Sequence, residues 1–204
     1  MLWDRLKENL EKMADRTSSF LDIPEVVGMI DGRKITSLHP QKYLEQYRDY
    51  NGWTKEVNRN VVLLWDPCGR VVDAVVNCPG KLHDSKSTMW GNIYEHISAL
   101  PDGFIVVCDS AFETRGELAG KLVKLKSDTG GFAETSHDKL LTHLRQSSEW
   151  GNGVLCNSWR RLRTHLPMDN TKRGLLMWSC ILMHNFCTET CDRNQIKIYF
   201  DNLN

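Results

Sequence analysis

No run of this 204-residue chain is long and apolar enough to cross a bilayer, and Met1–Leu10 carries charges where a secretory leader would be apolar. The expectation is a soluble, intracellular protein with no membrane partner. Net charge is also missing: 26 basic residues balance 26 acidic ones, so overall charge offers no argument for nucleic-acid binding, and any such argument must come from local clusters. The chain lacks internal repeats and low-complexity tracts. It also lacks an even cysteine count, for its seven cysteines (Cys68, Cys78, Cys108, Cys156, Cys180, Cys187, Cys191) include several inside apolar runs. Buried thiols rather than disulfides are expected.

What remains is ordinary globular composition, 41% hydrophobic and 25% charged, in a chain long enough to bury a core without staples. The expected layout is an N-terminal helical segment over 1–20, one main domain over 21–190 and a tail over 191–204. Leu2, Trp3, Leu6, Leu10 and Met13 follow helical spacing, and Asp22 with Pro24 ends that segment. Val26–Ile30 reads as a buried strand closed by the turn dipeptide Asp31-Gly32. A polar, tyrosine-bearing loop over about 36–54 follows. Asn60–Trp65 and Arg70–Asn77 read as a hairpin joined by Asp66-Pro67-Cys68-Gly69. Helical character runs from Asp84 to Leu100, Phe104–Cys108 is a second buried strand, and Ser136 to His165 turns helical again. Gly151 and Gly153 predict a bend or break in that helix, each weakening it by about 1 kcal/mol. Leu175–Cys187 is a last, apolar helix. This order of strand, hairpin, helix, strand, helix, helix defines an α/β class.

Two apolar runs break off at an acid, Asp31 and Asp109, and a third acid, Glu149, lies on a helix. Taken singly, each has an ordinary explanation: a turn at Asp31-Gly32, a helix cap at Asp109-Ser110, and a surface pair of Glu149 with Arg145. Together they are three carboxylates available to one end of a sheet, where mutual repulsion calls for a divalent cation. Phosphoryl transfer by two metals needs such hard oxygen ligands, bridging ions roughly 3.5–4 Å apart. The acids thus point to a metal-dependent nuclease or phosphatase.

Five blocks then occur in a recognisable order. They are Val27-Gly28-Met29-Ile30-Asp31-Gly32, Asn77-Cys78-Pro79-Gly80-Lys81-Leu82-His83-Asp84-Ser85, Val107-Cys108-Asp109-Ser110-Ala111-Phe112, Ser148-Glu149-Trp150-Gly151 and Leu182-Met183-His184-Asn185. In these blocks, spread over about residues 20–188, the chain resembles the PIF/Harbinger-type DDE transposases. The resemblance implies an RNase H-like mixed sheet flanked by helices, a catalytic DDE triad at Asp31, Asp109 and Glu149, and Asp84 as a further metal ligand beside those three. Helix capping is the ordinary role for Asp84. It further implies two Mg2+ or Mn2+ ions, DNA as substrate for nicking and strand transfer, a nuclear location, and a homo-oligomer. The family commonly has an N-terminal DNA-binding segment and works with a separate Myb-like protein. No helix-turn-helix precedes residue 26, so the expectation is a chain truncated at its start or dependent on that partner. After Glu149 the chain reads Trp150-Gly151-Asn152-Gly153, where the commoner animal pattern has a Phe-Gly-Arg-Leu-Lys-like run, and Trp159-Arg160-Arg161-Leu162 arrives later.

Arg160, Arg161, Arg163 and His165, with Lys172 and Arg173 shortly after, form the best basic cluster; an ordinary solvated helix face is the alternative, and Arg160, Arg161 and Arg163, which follow the helix of Glu149, are assigned to DNA contact. Lys121, Lys124 and Lys126 read as a solvated face. Cys180, His184, Cys187 and Cys191 share one helix face but span too far for a single zinc ion; buried thiols and a core histidine are the expectation. Lys55, Asn58 and Asn60 are candidates for positioning the metal-bearing strand or for touching DNA, with an ordinary loop role as the alternative. The tryptophans Trp53, Trp65, Trp90, Trp150, Trp159 and Trp178 are expected mostly in the core, although Trp150 could also stack on a base. Two other functions stand against the endonuclease: a domesticated derivative that binds DNA or protein without cutting, and a small-molecule phosphohydrolase.

Overall fold

A computed structural model describes residues 26–124 and 136–191, together with Lys7, Leu10, Asn194 and Ile196. The strands are β1 (Val26–Thr36), β2 (Tyr50–Asn51), β3 (Glu56–Trp65), β4 (Val71–Pro79), β5 (Ile105–Cys108) and β6 (Leu122–Lys124). The α-helices are α1 (Tyr43–Asp49), α2 (Asp84–Thr88), α3 (Ile93–Ser98), α4 (Ser136–Ser158) and α5 (Asn170–Cys191), with single 3-10 turns at Gly116–Leu118 and Arg160–Arg163.

β1 is the hinge of the sheet. It pairs antiparallel with β3 on one side and parallel with β5 on the other; β3 pairs antiparallel with β4, and β5 runs parallel to β6. The short β2 adds to the start of β3. This mixed order, with helices on both faces, is the RNase H-like arrangement of an α/β protein.

Alternation along the strands divides the core in two. Met29, Ile35, Val61, Leu63, Trp65 and Val107 face α4 and α5, where Leu144, Leu155, Met177 and Ile181 cover them. Ile30, Val62, Leu64, Val75 and Val106 face the other way, against Ile93, Ile97, Leu100 and Phe112, with Leu10 joining that cluster. Burial on both faces explains why β1 and β3 read as nearly continuous apolar runs.

Three expectations are corrected. Asp31-Gly32 does not turn the chain: β1 continues to Thr36, with its backbone held by β3 from Asp31↔Leu63 to Thr36↔Asn58. The apolar run stops there because β5 ends at Cys108 and leaves that edge open, not because the strand ends. The helical stretch from Asp84 splits into α2 and α3 at Trp90-Gly91-Asn92, where an added Cβ on Gly91 would lie 2.5 Å from Val75. Conversely, α4 runs unbroken through Gly151 and Gly153. Gly151 belongs in that helix because it seats α4 on the indole of Trp65; a Cβ there would stand 2.8 Å from the ring.

The hairpin joins where expected. Asp66, fully buried, accepts from the Arg70 backbone N–H at 2.9 Å and from Arg70 Nε at 2.7 Å, and Gly69 takes φ +80°. The polar stretch expected as a loop contains α1 and β2. Among the described residues no disulfide forms and no helix is long and apolar enough to cross a membrane.

Candidate active site

The parallel pairing of β1 and β5 brings Ile30 level with Cys108, so Asp31 and Asp109 follow side by side. Asp109 begins a turn rather than a helix; its Oδ1 accepts the N–H of Ala111 at 2.8 Å. Asp31 lies on the α4 face of β1, half-buried. Its Oδ1 accepts the N–H of Gly32 at 2.8 Å, and its Oδ2 accepts from Asn152 Nδ2 at 2.9 Å.

Asn152 is a residue that sequence reasoning passed over. It is buried one helical turn beyond Glu149, and its Oδ1 accepts from the indole Nε1 of Trp65 at 3.2 Å. An indole N–H can only donate, so the Asn152 oxygen must face Trp65 and the amide nitrogen must face Asp31. The signal available in the sequence was the spacing: an amide three residues after a candidate acid shares its helix face.

Asp84 reaches the same region from the opposite face of β1. His83 occupies the cap position of α2 and Asp84 is its first residue, so capping is not its role. Its Oδ1 accepts from Asn60 Nδ2 at 2.7 Å, and Asn60 also donates to Ser87 Oγ at 2.9 Å. A Cβ built on Gly32 would lie 2.2–2.5 Å from the Asp84 carboxyl group, so only glycine lets that carboxylate rest against the strand beside Asp31. Asn60 is therefore a buried holder of Asp84. Asn58 donates to Thr54 Oγ1 at 2.6 Å, and Lys55 lies in an exposed turn at φ 56°.

Glu149 is more loosely placed. It lies on α4, exposed, with Oε1 accepting from Arg145 at 2.5 Å, the pairing its spacing allowed.

Electrostatics ties the four acids together. Burial pushes the Asp31 carboxyl up to about 7; the Gly32 N–H opposes this, while Asp109, Asp84 and Glu149 add to it. Asp109 is raised by burial as well, with Asp84 and Glu149 adding repulsion against the Ala111 N–H and the cation of Arg145. The site is a half-buried concentration of negative charge. As they stand, no three His, Cys, Asp or Glu side chains among the described residues are close enough to hold one ion as a set.

Of the basic candidates, Arg160, Arg161 and Arg163 are exposed on the turn that follows α4. Arg33, which the sequence reading did not single out, lies on the same face of β1 as Asp31, with its guanidinium against Cys156 of α4; Arg163 acts on the same thiol. Arg173, from the same basic cluster, is buried and donates to Asn77 Oδ1, Asn170 Oδ1 and the carbonyls of Pro167 and Met168. Lys121 donates to the Ser98 and Leu100 carbonyls, Lys124 is exposed, and Lys126 lies outside the described residues.

His184 is a core residue that hydrogen-bonds the Gly69 carbonyl at 3.1 Å; Cys180 is buried and Cys191 exposed, and they form no metal set with it. The tryptophans divide. Trp65 is fully buried, but Trp53 is 94% exposed and Trp90 and Trp178 also reach solvent.

The fold and site define the class: an RNase H-like α/β protein with two acids side by side where the parallel pairing of β1 with β5 stops. Within it, the chain matches the family model described as DDE superfamily endonuclease over residues 30–185, well over half its length, and it belongs to that family. No curated protein matches it.

Proposed function

We propose that this chain is the catalytic core of a PIF/Harbinger-type transposase, a divalent-metal-dependent DNA endonuclease whose triad is Asp31, Asp109 and Glu149, with Asp84 beside it. The observation that carries the reading is the side-by-side placement of Asp31 and Asp109 where the parallel pairing of β1 with β5 stops. Burial raises Asp31 there to about 7, and three neighbouring acids add to the shift. Clustered, half-buried carboxylates call for a positive partner; Arg145 pairs with Glu149, while the side-chain donor to Asp31 is a neutral amide.

The donor set fits a hard cation: carboxylate oxygens, with the neighbouring Cys108 thiol pushed up to about 12 by burial and so kept neutral. Asp31 and Asp109 would hold Mg2+ or Mn2+ between them, and Asp84 and Glu149, which form no ready-made set with them, would have to draw in to complete the ligands. When bound, the metal supplies Lewis-acid stabilisation of charge on the phosphoryl oxygens and activates water. The protein's own part is positional. Asn152 and Gly32 fix the two Asp31 oxygens, Asn60 fixes Asp84, and Glu149 is the carboxylate free enough to accept a proton once Arg145 releases it. Water attacks the phosphodiester, leaving a 5′ phosphate and a 3′ hydroxyl; in strand transfer that hydroxyl attacks a target phosphodiester, joins its 5′ phosphate and releases the target strand's 3′ hydroxyl. Arg33 on β1 and Arg160, Arg161 and Arg163 on the turn after α4 would meet the DNA backbone. A nuclear location, a Myb-like partner and a homo-oligomer belong to the same reading.

A second reading is favoured by one observation. Glu149 is exposed and already engaged by Arg145, as it would be in a domesticated derivative that binds without cutting. One experiment separates the two: supercoiled plasmid with Mn2+, incubated with the parent and with Asp109→Ala. Nicking by the parent alone supports the endonuclease. Equal, salt-sensitive DNA retention without nicking by either protein supports the binding derivative.

A further inference from the structure

A groove of about 440 Å3 opens next to Asp84, on the side away from Arg160–Arg163, and the function above does not use it. Lys34, Asn51, Trp53, Lys81 and His83 line it together with Asp84. Its size falls in the range of small-molecule and single-nucleotide pockets.

The groove is built rather than accidental. Asn51 is buried, and its Oδ1 accepts the backbone N–H groups of Trp53 at 2.9 Å and Thr54 at 3.1 Å, while its Nδ2 donates to the Gly80 carbonyl at 2.8 Å. One side chain thus pins the Trp53 turn to the Pro79–Leu82 loop on the far wall. Lys34 Nζ donates to the Gly80 and Leu82 carbonyls, each at 3.3 Å, and fixes that wall a second time. The walls meet backbone to backbone at Gly80, where a Cβ would stand 2.2 Å from the Asn58 carbonyl oxygen and 2.6 Å from that of Asp49.

On this rigid frame the exposed groups are informative. Trp53 is 94% exposed on a pinned turn, so a large flat apolar ring is held in water with nothing covering it. Lys81 Nζ stands 4.0 Å above the centre of the Tyr47 ring, held in place by a cation–π contact. Lys34 and Lys81 outnumber the single acid, Asp84, and so favour an anion. A fixed aromatic plate beside fixed cations is the recognition chemistry of an unpaired nucleotide, in which the base stacks and the phosphate meets the lysines.

We propose that this groove binds an unpaired nucleotide of the DNA strand flanking the cut phosphate, its base on Trp53 and its phosphates on Lys34 and Lys81; the proposal rests on the endonuclease reading above. Asp84 connects the two regions, because it ends the groove and rests on Gly32 beside Asp31.

The test uses the full chain with Ca2+ in place of Mn2+ and two labelled oligonucleotides, a blunt duplex and the same duplex with a short single-stranded overhang. Binding is read by fluorescence anisotropy, and 5-iodouracil in the overhang serves as a photo-cross-linker. The parent should prefer the overhang, Trp53→Ala should lower that preference about tenfold, Trp53→Phe should restore most of it, and the cross-link should map to Trp53. Lys81→Ala should reduce the salt slope for the overhang substrate by about one. No preference in the parent, an unchanged preference in Trp53→Ala, or a cross-link confined to other residues overturns the proposal. So does competition by an acidic peptide with the Trp53→Ala preference intact, which would make this a protein-binding groove. Plasmid nicking by the parent alongside an unchanged preference in Trp53→Ala sinks the groove alone. A lost preference in that variant without nicking by the parent upholds the groove and sinks the endonuclease reading.

Discussion

Asn152 donates to Asp31 at 2.9 Å while its own oxygen accepts from the Trp65 indole at 3.2 Å, so a core tryptophan dictates which way a candidate metal ligand is held. Groups that orient a ligand in this way typically contribute ten- to a hundredfold to metal affinity or activity. Asn152→Ala should therefore reduce Mn2+-dependent nicking by about 10–100-fold. It should also raise the Mn2+ concentration at half-maximal activity, while circular dichroism shows the fold retained. Asn152→Asp should be the more damaging change, since it adds a further carboxylate beside Asp31. Unchanged metal dependence in Asn152→Ala would reduce the relay to packing.

Gly32 and Gly80 make opposite predictions from the same type of contact. The atoms nearest a Cβ at Gly32 are those of the Asp84 carboxyl group, the far end of a side chain rather than backbone. Gly32→Ala should fold, lose no more than about 1–2 kcal/mol in stability, and lose most of its activity because Asp84 must leave the strand. A Cβ at Gly80 meets two backbone carbonyl oxygens, which cannot step aside. Gly80→Ala should lose about 3 kcal/mol or more, or fail to accumulate as folded protein. Thermal melts paired with the plasmid assay measure both.

The uneven legibility of this chain has a physical cause. Apolar runs revealed β1, β3, β4 and β5 because strands buried on both faces must be apolar throughout. The ends of those runs marked Asp31 and Asp109, which the parallel register of β1 and β5 then brings level. What the runs could not show was pairing: Asp31 looked like a turn because burial ends there, although β3 carries β1 on to Thr36. Glycine misleads for a related reason. Gly151 counts against a helix on propensity, yet its missing Cβ is what allows α4 to touch Trp65. Asn152, Arg33 and Lys34 were not singled out because single polar residues acquire meaning only from what stands opposite them. The exposure of Trp53 was equally hidden, since an aromatic residue is expected in the core unless its turn is known to project.

Asp31 should hold the metal-free protein below its attainable stability. Its carboxyl group is raised from 3.8 to about 7, so the unfolded chain releases this proton more readily than the folded one. The folded state then binds more protons between those two values, and stability falls as pH rises through that window. Asp31→Asn should remove the penalty and stabilise the protein in EDTA at pH 7.5 by about 1–2 kcal/mol, the usual size of a gain made by neutralising a functional group. Mn2+ should raise the melting temperature of the parent, because it binds the folded state alone, and should leave Asp31→Asn unmoved. A variant that melts no higher than the parent in EDTA would show that Asp31 is not strained by its neighbours.

His184 gives the opposite pH dependence. Burial lowers its pKa below 6.5, the Gly69 carbonyl opposes that only in part, and its ring stands edge-on to Trp65 at 5.4 Å between centroids. The folded state therefore keeps the ring neutral where the unfolded chain is already protonated. The unfolded state binds the extra proton, so this contribution is fully present above pH 6.5 and is lost as pH falls toward the lowered folded value. A melting series from pH 7.5 to 5 should show stability dropping on the acid side. In His184→Gln, whose amide can still donate to the Gly69 carbonyl, that acid slope should flatten at some expense in stability at pH 7.5. If the slope persists in the variant, the acid sensitivity arises elsewhere, and the carboxylate of Asp66, buried against Arg70, has the opposite sign: burial raises its pKa, so acid does not unfold the protein through it.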